Sequence, residues 1–171
     1  MLTHHRKPVC FSLMALDMPL WSVVDSAATI YEKEPGRFHV LFTEPLVQGM
    51  KNAAAIRAPR GQANAPDTGP SRLLWLEVSP YRVIMTMQGS MTQPGSGKVS
   101  YRHFWEQGVF GASRYWFQQD ELSLGNQMRL RNYTRSLTLT ANPLPQSLRV
   151  EYELWAAQVQ LGHYILNLEI H

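Results

Sequence analysis

Apolar and polar residues alternate with a period of two through most of the chain from Leu73 onward. LLWLEVS (73–79), YRVIMTMQG (81–89), VSYRHFW (99–105), ASRYWFQ (112–118) and LSL (122–124) each read as strands, separated by Gly-, Pro- or Asn-containing turns. MRLRNY and SLTLT read as one strand bent at Thr134-Arg135. LRVEYELW sets Leu148, Val150, Tyr152 and Leu154 against Arg149, Glu151 and Glu153, and HYILNLEIH sets Tyr164, Leu166, Leu168 and Ile170 on one face. The connections are too short to hold the crossover helices that a parallel sheet needs. The pattern therefore predicts a mainly β, antiparallel fold of about eight strands, either a barrel or a strongly curved sheet.

The first part of the chain reads differently. Leu20, Val23, Val24, Ala27 and Ile30 fall at three-and-four spacing, which predicts a short helix over 18–33, stopped by Glu34-Pro35-Gly36. RFHVLFTEP alternates and predicts a strand. LVQGMKNAAAIRA fits a helix or a turn and strand, and PRGQANAPDTGPS (59–71) reads as a mobile polar loop. Residues 1–17 are expected to be flexible or to precede the true start, since Met14 and Met18 are alternative initiators. Residues 18–171 then form a single β-rich domain.

Length and composition sharpen this reading. The chain has 171 residues, long enough for a sizeable core, and its 17% charged content is low for a soluble protein. The single cysteine, Cys10, excludes a disulfide within the chain and a cysteine-built zinc site. The basic and apolar residues around Pro8 partly imitate a secretion signal, but Asp17 and Pro19 interrupt the run and no small-residue cleavage site follows. A cytoplasmic location is expected. No run approaches the roughly 20 apolar residues of a helical membrane span.

Candidate chemistry concentrates between Tyr101 and Thr140, where aromatics and arginines interleave. From Arg82 to Arg135 lie six Arg and one Lys against three acidic residues, Glu106, Asp120 and Glu121. No nucleophile elbow, phosphate loop or zinc-protease motif occurs, so no catalytic residue, metal ligand or cofactor is assigned. Guanidinium groups bind carboxylate or phosphate as planar forks, and aromatics stack on planar groups. Arg82, Arg102, Arg114, Arg129 and Arg131 are the expected anion side of a binding site, with His103 beside them and Trp105, Tyr115 and Trp116 as its stacking surface. Arg129 and Arg131 share one face of their strand, which is either the barrel interior or simply its wet side.

Three functions follow in order. The first is a non-enzymatic carrier holding a hydrophobic or planar anionic ligand inside the barrel. The second is an interaction or assembly module docking through an exposed aromatic and arginine face. The third is single-stranded nucleic-acid binding, which the net charge of +3 supports weakly. Phe104, Gln107 and Arg114 in FWEQGVFGASRYWF, together with Asn126, Arg129 and Arg131, resemble fragments of the lipocalin-like bilin lyases. The fragments lie nearly side by side here and cover little of the chain. The resemblance implies a calycin-type barrel and a planar acidic ligand.

Overall fold

A computed structural model describes residues 3–44, 72–89, 98–118 and 126–171. These form ten strands: β1 (His5–Ala15), β2 (Trp21–Glu34), β3 (Arg37–Glu44), β4 (Arg72–Val78), β5 (Arg82–Gly89), β6 (Lys98–Glu106), β7 (Phe110–Gln118), β8 (Asn126–Ala141), β9 (Pro145–Ala156) and β10 (Val159–Ile170). Each strand pairs antiparallel with its neighbours in sequence, and β1 also pairs with β10, so the sheet closes into a barrel. Closure leaves no edge strand with unpaired backbone groups.

The barrel has ten strands rather than eight, and no helix occurs among the described residues. The expected helix over 18–33 is strand β2, registered against β1 through Trp21–Ile30 and against β3 through Thr29–Glu34. The same segment satisfies a period of two: Ser22, Val24, Ser26, Ala28 and Ile30 occupy alternate positions, with Val24, Ala28 and Ile30 buried. The β-branched Val23, Val24, Thr29 and Ile30 lose rotamer freedom in a helix and suit a strand. Residues 5–15, expected to be flexible, form β1 and supply Val9 and Phe11 to the core. LVQGMKNAAAIRA, the 59–71 loop and the LSL strand lie outside the described residues.

Other sequence expectations match the observed strands. RFHVLFTE is β3, entered through Gly36 at φ +74°, a backbone conformation glycine takes without cost. The bent strand is β8, whose register with β9 shifts between Thr134 and Ser136. Leu148, Val150, Tyr152 and Leu154 of β9 and Leu166 and Leu168 of β10 are buried. The core is one cluster to which every strand except β7 contributes. The inward positions of β7 instead carry Gly111, Ser113 and Tyr115.

β7 ends opposite Tyr133 while β8 runs on to Ala141, so the bulge in β8 loses its neighbour. The β6–β7 turn replaces it. Gln107 Nε2 donates to the Arg135 carbonyl at 3.1 Å, and the Leu137 N–H donates to Gln107 Oε1 at 2.6 Å. Gly108 N–H donates to the Thr134 carbonyl at 2.9 Å. One side-chain amide thus satisfies the two backbone groups that the bulge frees. Leu137 is 8% exposed, so water does not readily replace the lost partner. Gln107→Ala should lower unfolding free energy by about 1–3 kcal/mol in urea denaturation. An unchanged midpoint would show that the clamp contributes nothing.

Candidate functional site

Alternation on the closed sheet divides the nine residues predicted for the site between two surfaces. His103, Trp105 and Tyr115 point inward, while Arg82, Arg102, Arg114, Trp116, Arg129 and Arg131 lie on the outward positions of β5 to β8. The structure therefore brings the arginines together and separates them from two of the three expected stacking aromatics.

The inward group is a polar and aromatic nest. His103 is 4% exposed, and its Nδ1 shares a 2.7 Å hydrogen bond with Ser113 Oγ on β7. Asn132 Nδ2 on β8 donates to the same Ser113 Oγ at 2.8 Å, and Tyr115 OH lies 3.2 Å from His103 Nε2. Both ring nitrogens are engaged whichever carries the proton. The His103 ring stacks on Trp105 with centroids 4.9 Å apart and planes 2° apart, and Tyr152 packs on Trp105 at 4.9 Å. Gly111 makes the nest possible. A Cβ there would strike the Phe104 carbonyl oxygen and would stand 2.9 Å from Asn132 Oδ1.

Two atoms of this nest, Trp105 Nε1 and Asn132 Oδ1, have no hydrogen-bond partner among the described residues, and neither does the buried Thr134 Oγ1 on β8. Burial also sets the ionisation of the group. It lowers His103 to about 3, which keeps the ring neutral at physiological pH, and it raises Tyr115 to about 12. Tyr152 is also raised well above its ordinary value, first by burial and then by the neighbouring tyrosines. Neutral, buried and hydrogen-bonded, these groups hold the barrel interior without presenting an ionised acid or base.

The outward group is electrostatically open. Arg102 on β6 is registered directly against Arg114 on β7, and Arg114 against Arg129 on β8. Neighbouring strands are about 4.8 Å apart, so three guanidinium stems stand in one row across the sheet. Like charges directly opposite one another repel. None of the three forms an ion pair with a described residue; Arg129 Nε donates only to Gln127 Oε1 at 3.1 Å. By contrast, Arg135 is neutralised by Glu153 at 2.5 Å and Arg37 by Glu34 at 2.8 Å.

Aromatic rings frame the row. Arg131 lies over the Phe110 ring at 4.9 Å and also donates to the Ala157 carbonyl, while Arg82 lies over Phe104 at 5.8 Å. Trp116 is half-buried beside Arg114. Beyond Arg82 a shallow cleft of about 50 Å³ is shared with Lys33, Arg37, His39 and Glu77, too small for the few hundred Å³ of an ordinary organic-ligand site. His39 is itself outward but only 6% exposed, covered by Tyr31 and Trp75, which hydrogen-bond its Nδ1 at 2.8 and 3.2 Å. Among the described residues, no group of three or more His, Cys, Asp or Glu could hold a metal ion.

Sequence reasoning missed Ser113, Asn132 and Thr134. Their signal was polarity at the inward phase of an alternating strand, visible only once that phase is known.

No family model matches the chain, and no curated protein matches it. Among solved structures, the barrel is similar to the crystal structure of the ywiB protein from Bacillus subtilis. The TM-score is 0.51 at 13% identity, over 97% of this chain and 93% of that one. At that identity the likeness concerns the fold alone.

The lowered pKa of His103 ties stability to pH. In the unfolded chain its imidazole binds a proton below about 6.5, whereas the folded state excludes it down to about 3. Unfolding therefore takes up a proton in that window, and stability falls as pH falls, by about 1.4 kcal/mol per unit. His103→Asn should flatten this slope between pH 6.5 and 5 in denaturation series, whatever its cost at pH 8. An identical slope in the variant would mean that His103 is protonated in the fold.

Proposed function

We propose that the protein is a non-enzymatic binding module that docks an acidic protein partner on the outer face of β5–β8. The observation that carries this reading is the row Arg102–Arg114–Arg129, three cations in register with no carboxylate partner among the described residues. A folded chain gains nothing from such a row by itself, because the charges repel. An anionic surface laid across it removes the repulsion and meets three guanidinium forks at once. Phe104, Phe110 and Trp116 beside the row supply the apolar contacts that usually accompany arginine at protein interfaces.

The interior-carrier reading asks for the arginines and their stacking partners on one surface. Trp105 and Tyr115 face the nest while the arginines face out, so a single ligand inside the barrel does not reach both sets. A nucleic-acid partner would use the same row. The acidic protein is favoured because Phe110 already packs on Tyr133 at 5.1 Å and under Arg131, which leaves it less free to stack on a base.

Calorimetric titration with a polyglutamate peptide tests the proposal. The wild-type protein should bind at low salt and weaken as salt rises. Arg102→Gln/Arg114→Gln/Arg129→Gln should reduce affinity by about tenfold or more, from three contacts of roughly 0.5 kcal/mol each. The same variant should be as stable as the parent or more stable by a few tenths of a kcal/mol, since the like-charge row is gone. Undiminished binding by the triple variant would refute the arginine row as the site. Binding of single-stranded DNA without any binding of polyglutamate would move the assignment to nucleic acid.

A further inference from the structure

The barrel carries a second exposed surface, on the side away from the row Arg102–Arg114–Arg129. β1 stands opposite β6 in the ring of ten strands, so the β1–β2 hairpin and its neighbour β10 face away from β5–β8. The side chains of Met14, Leu16, Met18, Leu20, Trp21 and Val23 are 40–71% exposed there, with Trp21 the most open at 71%. Val159 and Leu161, 63% and 42% exposed, extend the patch from the start of β10. The contiguity follows from register: Met14 pairs with Trp21 on one side and with Ile165 on the other, and the Leu16 N–H donates to the His163 carbonyl at 2.8 Å.

We infer that this face is a self-association surface, covered in solution by the same face of a second copy of the chain. Three observations converge on that occupant. The exposed side chains amount to on the order of 700 Å² of apolar surface, taking large side chains at roughly 150–250 Å² each. That exceeds the ~300–600 Å² of an ordinary monomer's largest patch and approaches the ~800 Å² that each partner gives to a standard interface. Charge is nearly absent: Asp17 is the one ionisable residue from Met14 to Val23, and Val159 to Gly162 holds none. Surfaces this poor in charge resemble permanent homomeric contacts rather than exchanging ones.

The closed sheet supplies the third. With no free edge, a partner cannot add a strand and must pack side chains face to face. A two-fold axis through the hairpin sets each Trp21 against the matching hydrophobic patch, which is the self-complementary arrangement of an isologous dimer. Such a dimer leaves the row Arg102–Arg114–Arg129 of each copy pointing outward, so it is independent of the partner proposed for that row.

Sedimentation velocity of the full chain over a concentration series tests this inference. The wild-type protein should sediment as a dimer at roughly 10 µM and above. Trp21→Glu and, on the other hairpin, Val159→Glu should each sediment as monomers with unchanged far-ultraviolet circular dichroism. Both side chains are mostly exposed, so neither substitution disturbs the core. A wild-type protein that stays monomeric up to about 100 µM overturns the inference. A dimer that persists in both variants overturns it equally.

Discussion

Closure of the sheet by β1 is the constraint on which the rest of the molecule depends. β1 pairs with β2 along Trp21–Ile30 and with β10 along Tyr164–Ile170, joining the two ends of a ten-strand meander. An open antiparallel sheet can vary which face it covers, but a closed one has an inside and an outside. Because side chains alternate strictly, each position is then committed to one of two environments. That commitment places His103 beside Ser113 in the buried interior and sends Arg102 and Arg114, one position along each strand, to the outer face.

The interior shows what the commitment entails. A polar group enclosed in a barrel needs partners from neighbouring strands, because water is excluded. The chain Asn132–Ser113–His103–Tyr115 meets most of that demand across β6, β7 and β8, leaving Asn132 Oδ1 without a partner among the described residues, and Gly111 provides the close backbone approach that lets it form. Gln107 does the equivalent for the backbone where β8 bulges. The first device joins the strands where β7 brings polar residues in place of core hydrophobes, and the second takes over beyond the end of β7. On the outside no ion pair with a described residue holds Arg102, Arg114 and Arg129, and their mutual repulsion is unrelieved by any of those residues.

Much of this was legible in the chain because strand periodicity is strong where inward residues are large. Leu148 through Leu154 and Tyr164 through Ile170 announce their strands unaided, as does Phe38–Val40–Phe42. β2 was hidden because its inward set, Ser22, Val24, Ser26, Ala28 and Ile30, is small and partly polar. Its outward Val23 then completed a helical spacing that the strand does not use. β1 was hidden by Pro8 and by basic residues next to its inward Val9 and Phe11. The arginine cluster was visible as composition, but its direction was not. Only cross-strand register, a long-range property, shows that Arg102, Arg114 and Arg129 stand in one row while Trp105 faces the other way.

The proposed binding surface lies outside the barrel, which leaves the aromatic nest a structural role. Two-dimensional nuclear magnetic resonance of the arginine Nε–H, tryptophan indole N–H and histidine ring signals tests it, during titration with an anionic ligand such as polyglutamate. Shifts are expected at Arg102, Arg114 and Arg129, with the Trp105 indole and the His103 ring unmoved. Shifts at Trp105 and His103 with silent arginines would place the ligand inside the barrel and contradict it.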